Sequence, residues 1–171
     1  MKKILVLLLA IVTISSCDDG DITLESFNFE DQEIQECTDN NLIFKTKNEE
    51  LLLISLTDEQ FDIAFEATPT VDSPRIITIS GSNEVIYRKY TGTVSNLTVC
   101  ATVPVSSPTV LKEWKATGGT ISIETNEVLN SSNEVVSHTH NITLLNVNFA
   151  STDNSFSFVS YIFGDYKIDV N

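Results

Sequence analysis

The stretch from Gly118 to Phe149 reads GGTISIETNEVLNSSNEVVSHTHNITLLNVNF and decides the fold class. Apolar and polar residues alternate across residues 120–125, which is the period of a strand with one buried face. The run 128–135 has Asn and Ser residues at its centre between strand-like flanks, and it predicts a hairpin. A further strand-like run follows at 142–149. This stretch therefore predicts antiparallel strands joined by tight turns.

The same local pattern recurs along most of the chain. The runs 75–79 and 84–90 flank a Ser-Gly-Ser-Asn link, so they predict another hairpin. Helix is predicted only as single turns, one capped at 57–60 and one within 108–115. Further strands are predicted at 22–29, 42–47, 51–56, 61–65, 93–103, 156–163 and 166–170.

About ten short strands with little helix predict an all-β domain, either a sandwich or a barrel. The connections vary in length, and no strand pair repeats as it would in an up-and-down barrel. We therefore expect a single antiparallel β-sandwich that spans residues 22–171.

The N-terminus has the pattern of an export signal. Met1-Lys2-Lys3 is followed by an apolar run of eleven residues, whereas about 20 are needed to span a bilayer. The run ends in Ile14-Ser15-Ser16-Cys17, which resembles the lipobox of bacterial lipoproteins. This resemblance implies that residues 1–16 are removed, that Cys17 is lipidated, and that the acidic residues 17–21 form a tether. The alternative is an ordinary secretory signal followed by an unrelated cysteine.

Five pieces of the chain carry a second resemblance. They are Cys17-Asp18-Asp19-Gly20-Asp21-Ile22, Phe27-Asn28-Phe29-Glu30, Gln35-Glu36-Cys37, the region Trp114 to Phe149, and Phe163-Gly164-Asp165-Tyr166. These pieces resemble small lipoproteins of flavobacteria (Bacteroidota). The resemblance implies a lipid-anchored protein of the bacterial outer membrane, either periplasmic or exposed at the surface, and it implies no catalytic activity.

The chain is strongly acidic, with 24 Asp and Glu against 10 Lys and Arg. This balance argues against nucleic-acid binding and against docking on anionic lipid through a basic patch. The acids are concentrated at residues 18–66, where fifteen of them accompany only Lys45 and Lys47. We interpret this region as a solvated face, with cation binding as the alternative, although no Asp-x-Asp-x-Asp-Gly calcium loop is present.

Two cysteines remain once Cys17 is assigned to the lipid. An even pair in an exported chain predicts a disulfide between Cys37 and Cys100. Two buried free thiols or a shared metal are the alternatives.

Candidate chemistry is sparse. His138 and His140 lie two residues apart on a predicted strand, so both imidazoles would share one face and could hold a metal with Glu124 or Glu134. We instead expect both histidines at the rim of the sandwich, in contact with water and without a metal. Trp114 lies among charged neighbours and is a candidate sugar-stacking residue, but we expect instead a tryptophan that covers one end of the sandwich. Further aromatic candidates are Tyr87, Tyr90, Tyr161 and Tyr166.

The sequence leaves three function classes open. We expect a membrane-anchored, non-enzymatic binding or interaction module of the cell envelope, without a cofactor. Its attachment would be the lipid, and its partner a protein or a glycan rather than a nucleic acid. A structural lipoprotein that maintains the envelope is the alternative. A carbohydrate-active or metal-dependent enzyme is the third class, for which the sequence offers no Gly-x-Ser-x-Gly motif and no glycine-rich phosphate loop.

Overall fold

The computed structural model describes residues 27–37, 40–71 and 73–170. The predicted signal peptide, Cys17, the tether and the start of the first predicted strand lie outside these residues. The described part of the chain contains nine strands and two helices, which are β1 Gln35–Cys37, β2 Leu42–Lys47, β3 Glu50–Ser55, α1 Asp58–Ala64, β4 Arg75–Thr78, β5 Glu84–Tyr90, α2 Asn96–Cys100, β6 Val110–Ala116, β7 Thr120–Leu129, β8 Val135–Ala150 and β9 Ser155–Asp169.

The nine strands form one antiparallel, hydrogen-bonded sheet in the order β1-β2-β3-β5-β6-β8-β7-β4, with β9 paired to β8. Strand β8 is 16 residues long. One of its edges pairs with β9, while the other pairs first with β7 and then with β6. The sheet therefore has two arms, one from β1 to β6 and one of β4 and β7, which meet at β8.

The two arms enclose one core. Ile43 and Leu52 from the first arm belong to the same buried cluster as Ile121 from the second arm and Leu144 from β8. Successive side chains of a strand point to opposite faces, so each arm turns one set of apolar side chains toward the other arm. The all-β antiparallel sandwich predicted from the sequence is confirmed, with nine described strands where about ten were expected.

The bend between the arms is built on Gly119 and Asn146, both of which have positive φ, at 118° and 51°. A Cβ on Gly119 would lie 2.8 Å from Val147 Cγ2 and 2.9 Å from the carbonyl oxygens of Leu145 and Asn146. The backbone of Gly119 therefore contacts the backbone of residues 145–146, at the point where β8 stops pairing with β7 and begins to pair with β6. Only glycine accommodates both this φ and this contact.

The outer face of the first arm is also covered. Phe44, Leu51 and Ile86 form a second buried cluster beneath α2. The Sγ atoms of Cys37 and Cys100 lie 1.97 Å apart, and the Cα atoms lie 5.3 Å apart. The cysteine pairing predicted from the sequence is thus found at disulfide distance, and it ties β1 to α2.

Helix α1 is longer than the predicted single turn. Thr57 and Gln60 form the expected capping box, but the helix continues through Phe61, which was predicted to begin a strand-like alternation with Ile63 and Phe65. Phe61 and Phe65 are four residues apart, so a helix places both rings on one side, with centroids 4.7 Å apart. That prediction was wrong because Phe61 and Phe65 fit a helical spacing of four as well as a strand spacing of two, and Ile63 between them is exposed.

Two other segments exchange their predicted structures. Residues 93–103, expected as a strand, contain α2, whose N-cap Ser95 forms a capping box with Thr98. Residues 108–115, expected to hold a helical turn, lie mostly in β6. For the second segment, pairing with distant strands decides the outcome, because β6 fills the position between β5 and β8.

One predicted hairpin is confirmed and the other is wrong. Strands β7 and β8 pair with Val128 opposite Ser137 and Leu129 opposite Val135. Strands β4 and β5 do not pair with each other, since β4 pairs with β7 and β5 pairs with β3 and β6. The chain between them crosses from one arm to the other. The two runs predicted at the C-terminal end form the single strand β9, and Phe27 and Phe29 are buried outside any strand.

Candidate functional site

Trp114 is a core residue. It is 1% exposed, its ring lies 5.1 Å from that of Tyr87, and its Nε1–H donates to Asn154 Oδ1 at 2.7 Å. Its charged sequence neighbours point to the other side of β6, because successive side chains of a strand alternate. Trp114 is therefore a tryptophan of the core, as expected, and its candidate role as a sugar-stacking residue is wrong.

The tyrosines do not form a sugar platform either. Tyr87, Tyr90 and Tyr161 are buried. The Tyr87 hydroxyl donates to Glu50 Oε1 at 2.8 Å, and burial together with this bond raises the pKa of Tyr87. Tyr166 is half-buried, and its hydroxyl donates to the Glu36 carboxylate. These rings pack in or against the core, so their faces are occupied.

His140 is wholly buried rather than at a wetted rim. Its Nδ1 lies 2.9 Å from Thr125 Oγ1, and Arg75 donates to that hydroxyl at 2.6 Å. The Thr125 hydroxyl thus links the Arg75 guanidinium to the His140 imidazole. Burial, followed by the charges of Arg75 and His138, lowers the pKa of His140 to about 4.

The two histidines are not brought into a metal site. His138 is half-buried, and the part of the chain that the structure describes holds no cluster of three His, Cys, Asp or Glu residues able to bind a metal ion. Glu124 lies opposite Asn141, on the other face of the sheet from His140. The expectation that both histidines contact water was wrong for His140, since Phe65 and Tyr166 pack around it.

A groove of about 820 Å³ runs along β9, and we name it the β9 groove. One wall is the segment that runs into β1, the other is β9 itself, and the floor includes one residue of β2. The lining residues are Glu30, Gln32, Glu33, Ile34, Glu36, Lys45, Ile162, Gly164, Asp165, Tyr166 and Lys167.

Lys45 forms the floor of the β9 groove. It is 3% exposed, and its Nζ donates to the carbonyl oxygen of Phe29 at 3.0 Å and lies 5.8 Å from the centroid of the Phe163 ring. Burial lowers the pKa of Lys45, while the charges of Asp165, Glu30 and Asp31 oppose that shift. Lys45 thus holds the N-terminal wall of the groove against β2.

Gly164 leaves the space that Lys45 occupies. Its φ is 129°, and a Cβ there would lie 2.8 Å from Lys45 Nζ. The hydrogen bond from the Tyr166 hydroxyl to the Glu36 carboxylate is a second link between β9 and the N-terminal wall of the groove. These residues join segments about 130 positions apart in the chain, so the groove is a product of the tertiary fold.

The rim of the β9 groove is acidic. Glu30, Glu33, Glu36 and Asp165 are carboxylates on its walls, and none of them forms an ion pair with a described Lys or Arg residue. Lys167 is paired with Asp169 at 2.9 Å. The groove therefore presents a negative field to solvent, with one buried positive charge beneath it.

Of the residues that line the β9 groove, only Tyr166 was a candidate from the sequence, and it was named as a sugar-stacking ring. One signal was present in the sequence, since Lys45 is two residues from Ile43 in β2 and shares its inward face. A lysine at an inward position needs a partner or an opening. The walls gave no comparable signal, because residues 30–36 and β9 meet only in the folded chain.

No family model, curated protein or solved structure matches this chain. Within residues 27–37, 40–71 and 73–170, no helix is long and apolar enough to cross a membrane.

Proposed function

We propose that the protein is a non-enzymatic binding module of the bacterial cell envelope, anchored by a lipid on Cys17, with the β9 groove as its binding surface. The observation that carries the proposal is the groove itself, an open slot of about 820 Å³ whose carboxylates have no described ion-pair partner. Specific binding sites are concave and combine apolar with a few charged groups. Ile34 and Ile162 supply the apolar part here.

The anchor rests on the lipobox pattern of residues 14–17. Replacing Cys17 with Ser removes the thiol that would carry the lipid. We expect the variant to lose incorporation of a fatty-acid probe and to leave the membrane fraction. Equal labelling of Cys17→Ser and the unchanged chain would contradict the anchor.

The binding surface is tested by photo-crosslinking in the bacterium that makes the protein. A benzoylphenylalanine at Ile162, which is 63% exposed and lines the groove, is compared with the same residue at Val159, which is 81% exposed on β9 outside the groove. We expect a discrete adduct from position 162 and none from position 159. Equal adducts from the two positions, or none from 162, would refute the groove as the binding surface.

A further inference from the structure

We propose that the β9 groove takes an extended, basic peptide segment of a partner protein, which adds to the free edge of β9 as a further strand. This inference rests on the proposed function, for which it names the partner chemistry. Three observations support it: the unpaired edge of β9, the charge of the groove and the length of the strand that borders it.

The groove runs along an edge of β9 rather than over one of its faces. Tyr166 lies opposite His140 and points into the core, whereas Asp165 lies opposite Asn141 and points outward. Both nevertheless line the groove. Side chains from the two faces of a strand border the same space only at the strand edge.

That edge is open among the described residues. Strand β9 pairs only with β8 there, so its second edge leaves a row of main-chain N–H and C=O groups without a strand partner. Such a row is the template for addition of an extended peptide, in which main-chain bonds supply affinity. The bordering residues Ile162 to Lys167 span about 20 Å when extended, which suits a segment of about six residues.

The charge of the groove selects the occupant. Its four carboxylates, none of which forms an ion pair with a described Lys or Arg, favour a segment rich in Lys or Arg. Complementary charge steers association and disfavours like-charged partners. The chain's own N-terminal region contains Asp18, Asp19, Asp21 and Glu25, and a second copy would bring the same acidic walls. Both of these occupants place negative charge against negative charge.

The test uses the full chain in a non-ionic detergent and a fluorescein-labelled hexapeptide, Lys-Thr-Lys-Val-Lys-Thr with blocked ends, followed by fluorescence anisotropy. In one control peptide Glu replaces each Lys, and in the other every backbone amide is N-methylated while the side chains are unchanged. We expect the basic peptide to bind, and we expect the dissociation constants of both control peptides to be at least about tenfold higher. Equal binding of the N-methylated peptide would overturn strand addition, because it lacks the donors that pair with β9.

Protein variants locate the site. Replacing Glu30 and Glu33 with Gln should weaken binding of the basic peptide about three- to tenfold, whereas Glu59→Gln, an exposed acid on α1 outside the groove, should leave it unchanged. Equal effects of the two changes would overturn the assignment to the groove. Failure of the peptide to bind while position 162 still crosslinks would overturn the basic partner and leave the binding surface standing. Absence of both would refute both proposals.

Discussion

Gly119→Ala should be the most damaging single-methyl addition in the described part of the fold. The new Cβ would lie 2.8 Å from Val147 Cγ2 and 2.9 Å from two backbone carbonyl oxygens. An L-residue at this φ costs about 1–3 kcal/mol, and overpacking against atoms that cannot yield costs about 1–3 kcal/mol more. Together they predict a loss of about 2–6 kcal/mol in the free energy of unfolding.

The matched control is Gly118→Ala. A Cβ added to Gly118 would meet no atom within 4 Å, and this glycine does not have a positive φ, so its substitution should change stability by less than about 1 kcal/mol. Urea denaturation followed by Trp114 fluorescence gives the free energy of unfolding of both variants. In thermal denaturation, the melting temperature of Gly119→Ala should fall by roughly 5–20 °C. Equal stability of the two variants would refute the bend at Gly119 as the point where the arms of the sheet meet.

Three further predictions concern stability. Replacing both Cys37 and Cys100 with Ser should lower the free energy of unfolding by up to about 4 kcal/mol, because the bridge closes a 63-residue separation; denaturation equal to that of the unchanged protein would contradict this. Unfolding lets buried, neutral His140 take up a proton between its folded pKa of about 4 and its ordinary 6.5, so stability should fall by up to about 3 kcal/mol as the pH drops through that window. His140→Gln should remove that part of the pH dependence and His138→Gln should retain it, and the opposite result would refute the assignment. Asn154→Ala removes the acceptor of the Trp114 indole N–H and should lower the free energy of unfolding by about 1–3 kcal/mol. Asp153→Ala, on the exposed side of the same turn, should leave that free energy near the value of the unchanged protein. Equal losses in the two variants would contradict a buried hydrogen bond to the indole.

The fold class was predictable because it rests on local pattern. Alternation at 120–125 and 142–149 specifies strands wherever a core covers one face, and the Asn-Ser-Ser-Asn link specifies the turn between β7 and β8. The cysteine pairing was predictable because two cysteines remain once Cys17 is set aside as the predicted lipidation site. Each of these conclusions needs only neighbouring residues or a count.

Pairing between distant segments was not predictable from such patterns. Strands β4 and β5 are adjacent in sequence, yet they lie in different arms because each finds a longer-range partner. Trp114 has charged neighbours, but strand alternation turns them outward and the indole inward. The β9 groove depends on residues 30–36 meeting β9, and a single sequence does not specify that contact.

Amide hydrogen exchange measured by NMR tests directly whether β9 has an open edge where it borders the groove. In the free protein, the amides of residues 162–167 that do not donate to β8 should exchange quickly, while their neighbours that bond to β8 should be protected. Addition of the basic hexapeptide should slow the fast set and leave the rest of β9 unchanged. Uniform protection of residues 162–167 in the free protein would show that the edge is already covered and would contradict the account.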